Sequence, residues 1–387
     1  MSLPSTERWL FGPGPSLVTP RVMRALAAPV LGHLDPQFLT IMDDARARLA
    51  RLFRAPEGSL VLAVSGTGTS GMEAAVANLV EPGRRALVVV NGYFGERLVD
   101  MCGRYGGDVV RVDGQWGRAI DPAAVEARLR DGRFDLVAVV HAETSTGVEN
   151  PVAQIAALAR AHGALTLADM VTSLGGQKAD MAAWGVDACY SGTQKCIGAP
   201  SGLAPIALAP AALEKRVACR SFYLDLGLLE DYWVKRKYHH TMSSSLICAL
   251  DEALAAIEEE GLEARWARHD LSHAMFASAV DAMGLGLLPP AGERLRTLNA
   301  TRIPSGVDEA GVRKELRETF NVEIGAGMGP LAGKIWRIGL MGAGATPTHV
   351  LLLVSALEAA VSRSGHTMTP GAGIAAAQRI MNAPIHA

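Results

Sequence analysis

The chain has 387 residues, long enough for two domains and a substantial core. Apolar residues make up 49% and charged residues 20%, with a net charge of −2, so no basic surface for nucleic acid or a membrane is expected. Five cysteines without a CxxC pair argue against a zinc site or disulfide framework; with no apolar run of about 18 residues, no signal-like start and no peroxisomal ending in PIHA, we expect a cytoplasmic protein.

In chain order, residues 45–55 (ARARLARLFRA) predict a helix and SLVLAVS (59–65) a strand. The glycine-rich GTGTSG and a helix, MEAAVANLV (72–80), follow. RALVVVN (85–91) reads as a strand, YFGERLVDMCGRYG as a helix and DVVRVD (108–113) as a strand. DLVAVVHAET (135–144) is strand-like, IAALARAHG (155–163) is a helix stopped by glycine, and ALTLAD (164–169) and VDACYS (186–191) are strands. Apolar strands alternating with helices predict an α/β fold with a mostly parallel sheet covered on both faces. Ligands of such sheets lie at the carboxyl ends of the strands, where Asp169, Thr144 and Lys195 fall.

After residue 200 the pattern changes. Residues 245–284 form a long helical region broken at Gly261, where we place a domain boundary. A smaller α+β unit follows, with the helix VDEAGVRKELRETF, the strand KIWRIGL (334–340) and a last helix, HVLLLVSALEAAVSRSG (349–365). The pattern assigns no role to the Ala/Gly-rich tail, 366–387.

The loop SGTGTSG carries G-x-G-x-x-G at Gly66, Gly68 and Gly71, between a strand and a helix. Small residues let the backbone approach a phosphate, and the helix N-terminus offers N–H groups and a positive dipole end. A nicotinamide dinucleotide also needs an acidic residue at the end of the next strand, but RALVVVNGYFG ends in Asn91 and Gly92. The loop therefore fits a cofactor with a single phosphate better, a packing loop being the other reading.

Lys195, in YSGTQKCIGAPSG, follows an apolar run among small uncharged neighbours. Taken alone it reads as a solvated lysine, Asp169 as a turn or cap residue and Arg337 as an ion-pair residue. A Schiff base between Lys195 and pyridoxal 5'-phosphate gives all of them work. Gly68 and Thr69 offer N–H groups to the phosphate, and Thr67 and Thr69 offer hydroxyls. Asp169, ending a strand, can keep a pyridine nitrogen protonated. Tyr93 or Phe94 offers an aromatic face, and Thr144 a donor to the phenolic oxygen. His239 and His240 would point to opposite faces of a strand, so we expect no metal site. Glu143 reads as a supporting or helix-cap group. Cys196 adjoins the lysine, and no cysteine lies beyond Cys248.

The segments FGPGPS, SGTGTSGMEAAVAN, NGYFGER, HAETSTGV, LADMVTSLGG, YSGTQKCIGAPSG, SFYLDL, KYHHT and WRIGLMG, spread over residues 11 to 342, resemble the class V (fold type I) pyridoxal-phosphate aminotransferases, in particular the alanine–glyoxylate and serine–pyruvate group. The resemblance implies a fold type I transferase: a segment closing over the active site (1–20), a large cofactor-binding domain with a mostly parallel sheet (21–260), a smaller C-terminal α+β domain (261–365) and the tail (366–387). It implies that Lys195 is the Schiff-base lysine and proton shuttle, and that Asp169 pairs with the pyridine N–H. Thr67, Gly68, Thr69 and Gln194 would hold the phosphate, Phe94 would stack on the ring, and Thr144 would reach the phenolic oxygen. Tyr238 and Thr241 resemble residues that reach the phosphate of the neighbouring subunit's cofactor, which implies a homodimer with shared active sites. Arg337 resembles the arginine that clamps the substrate carboxylate, and Gly14 lies in the Gly-Pro-Gly segment that closes over the substrate.

No second arginine is evident for a distal carboxylate, so small substrates are expected, with alanine or serine as donor and glyoxylate or pyruvate as acceptor. The alternative is (S)-ureidoglycine–glyoxylate transfer, by a sister group with glutamine where GHLDPQF has His33. Ser243 and Ser244 stand where proline is common, and their hydroxyls would suit a polar donor such as serine or ureidoglycine. A nicotinamide oxidoreductase using the same loop is the reading from another class.

Overall fold

The computed structural model describes residues 7–383; residues 1–6 of the N-terminal segment and the PIHA ending lie outside the described residues. Seven strands form the main sheet, in the order Leu60–Ser65, Leu203–Leu208, Ala188–Tyr190, Leu165–Asp169, Leu136–Val140, Arg85–Val90, Asp108–Asp113. Leu203–Leu208 runs antiparallel to both neighbours, and the other adjacent pairs are parallel. Strands such as LVAVV and LAPIAL are buried throughout, because helices cover both faces and no side needs a polar row. From Arg85–Val90 the chain moves outward to Asp108–Asp113; from Leu136–Val140 it proceeds the opposite way. The loops after strands therefore diverge and leave a crevice at the carboxyl edge.

Several elements differ from expectation for local reasons. The first long helix is Pro36–Phe53, capped by Asp35, whose carboxylate accepts from Gln37 N–H at 2.8 Å. Its buried face, Phe38, Met42, Ala45, Leu49 and Leu52, keeps helical spacing through a polar stretch that hides the start. The expected strand 135–144 divides: Leu136–Val140 stays in the sheet, and Ala142–Glu143 turns back to pair with Val148–Glu149. Gly147, at φ +74°, supplies the left-handed residue of that turn. The strand Leu203–Leu208 is apolar throughout but carries Pro205 in its interior, which argues against a central strand in the sequence.

A second core lies around the antiparallel strands Leu298–Arg302, Ile335–Gly339 and Gly325–Ala326, with helices Leu262–Ala282, Glu309–Thr319 and Pro347–Arg363. Phe11 is buried in this core, and Trp9–Leu10 pairs in parallel with Val322–Glu323. The tail contains a helix, Ala372–Met381, with Ala376 and Ala377 fully buried against Leu262–Ala282 and Pro347–Arg363. Among the described residues no helix is long and apolar enough to cross a membrane.

Candidate active site

Five strand ends converge on one cavity of about 210 Å³. Its lining includes Thr67, Gly68, Thr69, Phe94, Thr144, Asp169, Gln194 and Lys195, so sequence-distant residues meet at one place. Helix Gly68–Leu79 begins here. Its first turn gives the N–H groups of Ser70 and Gly71 to Thr67 O, while those of Gly68 and Thr69 have no acceptor earlier in the helix. A side chain at Gly68 would meet Val171 Cγ2 at 2.9 Å, so a bare backbone is required. Gln194 brings an amide whose Oε1 is buried without a partner, leaving the group free to turn its N–H side toward an anion.

Asp169 ends its strand with only 3% exposure. One carboxylate oxygen accepts from Val171 N–H at 2.9 Å and the other from the Tyr190 hydroxyl at 2.9 Å. Burial pushes the carboxyl up to about 6, against the pull of these donors and of Lys195 and Arg97. Lys195 lies beyond the strand end, in the turn Thr193–Ile197, with a non-helical backbone at φ −109° and ψ −129°. Its amine donates to Pro13 O. Burial, then the nearby Arg337 charge, brings the amine down to about 8. A side chain at Gly14, where φ is +108°, would sit 2.6 Å from Lys195 Nζ, so this glycine gives the amine its space.

Glu143 is fully buried. It accepts from Phe94 and Gly95 N–H at 3.1 and 3.2 Å and from Ser145 N–H and Oγ at 3.1 and 2.6 Å. It thus caps helix Tyr93–Arg104 and fixes Phe94 on the cavity wall, and burial pushes its carboxyl up to about 7. Gly92 is required because a side chain there would collide with Glu143. Asn91, where a dinucleotide site needs an acid, donates to Asn150 Oδ1 and Arg118 O, both at 2.8 Å, and serves as internal scaffolding. Of the two aromatic candidates, Phe94 lines the cavity, and Tyr93 meets it edge-on, 36% exposed. Arg97 packs over both rings and donates to Thr69 Oγ1 at 2.9 Å.

Some predicted residues are not on the cavity wall. Tyr238 is 61% exposed, its ring against His33 and its hydroxyl 3.4 Å from Thr241 Oγ1. Arg337, half-buried, spends Nε on Ala326 O at 2.7 Å. The segment holding His239 and His240 is not a strand, and their Nδ1 atoms lie 2.8 Å apart rather than on opposite faces. Among the described residues no group of three metal-ligating side chains forms. Ser243 Oγ caps helix Ser244–Glu260 by accepting from Leu246 N–H, and Ser244 is buried. The Cys196 thiol donates to Thr172 O at 3.1 Å, and burial pushes it up to about 12, far from a nucleophilic thiolate.

Sequence reasoning missed Tyr190, Arg97, Val171, Thr172 and the Pro13 carbonyl. Tyr190 is the register partner of Asp169 on the adjacent parallel strand, a relation fixed by strand pairing and not by spacing.

The family described as Aminotransferase class-V matches residues 8–334. The structure of ureidoglycine-glyoxylate aminotransferase from Bacillus subtilis is similar over 98% of this chain and 100% of that one, at 35% identity and TM-score 0.96. That of alanine–glyoxylate aminotransferase from Nostoc sp. covers 93% and 97%, at 43% identity and TM-score 0.90. Alanine–glyoxylate aminotransferase of Drosophila melanogaster is 35% identical over 92% of this chain and 93% of its own length.

Proposed function

The chain belongs to the class V aminotransferase family and is an aminotransferase, and from that premise we propose that it uses pyridoxal 5'-phosphate to move the amino group of L-alanine or L-serine to glyoxylate or pyruvate. The observation that carries this reading is one cavity lined by a buried carboxylate, Asp169, a lysine of lowered basicity, Lys195, and the open N-terminus of helix Gly68–Leu79.

The donor set fits the cofactor. Gly68 and Thr69 N–H, the hydroxyls of Thr67 and Thr69, and the unpartnered amide of Gln194 suit a phosphate. Phe94 offers an apolar face to the ring, Asp169 a carboxylate to a ring N–H, and Thr144 a hydroxyl to the phenolic oxygen. When bound, pyridoxal phosphate supplies the electron sink for the bond broken at the substrate α-carbon. The chain then has to bind, orient and move protons. Lys195 Nζ, near 8, is partly neutral at neutral pH and takes up and returns a proton. Arg337 holds the substrate carboxylate with a planar fork, which a lysine cannot present. Donor and acceptor use the same site in turn, which gives ping-pong kinetics.

Two copies of the chain are expected to work as a homodimer, with exposed Tyr238 and Thr241 reaching the partner's phosphate. Five cysteines, none in a disulfide, support a reducing, cytoplasmic setting. We read the division into 1–20, 21–260, 261–365 and 366–387 as the functional one. The second reading, (S)-ureidoglycine as donor, is favoured by the near full-length likeness to the Bacillus subtilis enzyme. Visible spectra of the protein with pyridoxal phosphate, titrated separately with alanine, serine and ureidoglycine and chased with glyoxylate, rank the donors. Absence of any lysine-bound cofactor band would overturn the proposal.

A further inference from the structure

Three consecutive carbonyls around Lys195 are each held from outside its turn. Ser16 N–H donates to Gln194 O at 2.9 Å, and Ser16 Oγ donates to Lys195 O at 2.7 Å. Arg265 Nη2 donates to Cys196 O at 2.7 Å. Ser16 comes from the N-terminal segment and Arg265 from helix Leu262–Ala282, so the clasp has two arms distant in sequence. Both residues are buried, at 2% and 6% exposure. Arg265 also donates through Nε to Gly175 O at 2.8 Å, and its Nη1 meets Glu260 at 2.6 Å.

Burying a guanidinium is costly, and an apolar side chain often fills such a place at no loss. Glu260 does not require Arg265, because Arg268 meets it through Nε and Nη2 at 2.6 and 3.0 Å. What Arg265 does inside the protein is to hold two carbonyls, one of them beside Lys195. The turn is irregular: Lys195 has a non-helical backbone at φ −109° and ψ −129°, and the carbonyls of residues 194–196 are held by Ser16 and Arg265. A lysine that carries a proton between two atoms has to swing its side chain from an immobile base.

We propose that Arg265 and Ser16 are positioning residues for Lys195, locking the peptide groups of residues 194–196 so that the amine moves on a fixed backbone. This rests on the role given above to Lys195. Neither residue touches the cavity that would hold the cofactor. Their effect is therefore on the amine and not on phosphate or carboxylate binding.

The test uses Arg265→Met and Ser16→Ala in the full chain. Cofactor-free protein is mixed with pyridoxal phosphate, and the rate of lysine capture is followed by visible absorption across pH; kcat, KM and the unfolding midpoint are measured alongside. Both variants are expected to slow capture and lower kcat about tenfold, the equivalent of about one hydrogen bond, neutral for Ser16 and charge-assisted for Arg265, with KM within about twofold. The midpoint of the capture profile should move up in both, because a loosened turn lets the amine reach water. Ser16→Ala leaves the charges on Arg265, Arg337 and Asp169 in place, so its shift cannot come from a lost cation. Wild-type capture profiles and kcat in the folded variants would overturn the inference. Should Arg265→Met not fold, Ser16→Ala decides by the same criteria. A wild type that captures no pyridoxal phosphate overturns the role of Lys195, and this inference with it.

Discussion

The Tyr190 hydroxyl donates to the Asp169 carboxylate at 2.9 Å, across two adjacent parallel strands in which these residues are register partners. The bond pulls the Asp169 pKa down while burial pushes it up. Tyr190→Phe removes the pull without altering the ring packing. The acidic limb of the kcat/KM profile should shift to higher pH, and pyridoxal phosphate should bind about tenfold more weakly, as expected for one hydrogen bond to a charged group. An unmoved acidic limb would mean that Asp169 does not set it.

Lys195→Ala should lower turnover at least about a thousandfold, the upper range for removal of a positioned acid–base group. Stopped-flow spectra after mixing with alanine and glyoxylate check this. Partial rescue by a small added amine would show that a proton carrier, and not the fold, was lost. Near-normal turnover would remove Lys195 from the chemistry.

Asp169 should also cost the cofactor-free protein stability. Its carboxyl sits at about 6 when folded, against an ordinary 3.8. The folded chain therefore binds the proton more tightly than the unfolded one between these values, and stability falls as pH rises through that window. The difference of roughly two pKa units corresponds to about 3 kcal/mol, fully present by pH 7. Asp169→Asn removes the charge and keeps one acceptor oxygen, for Val171 N–H, while its amide NH2 can donate to the Tyr190 hydroxyl oxygen. Urea unfolding of cofactor-free protein should show it more stable than wild type at pH 7 and equal to it near pH 4, while inactive. Equal stability at both pH values would contradict the buried ionised state.

Much of the site was legible because each residue stands just past an apolar strand whose period is plain: Thr67 to Thr69, Phe94, Thr144, Asp169 and Lys195. Such positions share the carboxyl edge whatever the order of the strands. What was not legible depends on pairing and on contacts distant in sequence. Tyr190 becomes relevant only once its strand is placed beside that of Asp169. Arg265 and Ser16 reach the lysine turn from residues far along the chain. The resemblance placed Tyr238 and Thr241 near a phosphate, but one chain holds them at an exposed surface. The tail was opaque because alanine and glycine carry little periodic signal, although its helix is half-buried.

Removing residues 366–387 should destabilise the smaller unit. Ala376 and Ala377 are fully buried, and Ile374, Ile380 and Met381 pack against the second core. Loss of a few partly buried apolar side chains corresponds to about 3–5 kcal/mol. Denaturant unfolding of the truncated protein should show this drop, with KM unchanged in the folded fraction. An unchanged midpoint would make the helix Ala372–Met381 dispensable for stability.

Arg337 stands on Ile335–Gly339, and its register partners are Ala300 and Gly325. With Nε committed to Ala326 O, the two Nη groups form the fork that we assign to the substrate carboxylate. A bidentate charge-assisted pair contributes about 2–3 kcal/mol, so Arg337→Ala should raise KM for donor and acceptor alike by roughly 30–150-fold. Arg337→Lys should recover only part of this, because a point charge lacks the fork. The same cation lowers the Lys195 pKa, so Arg337→Ala should also move the lysine-dependent limb of the pH profile upward. A structural role alone would reduce the folded fraction without separating KM from kcat or shifting that limb. An unchanged KM for both substrates would take Arg337 out of the binding site.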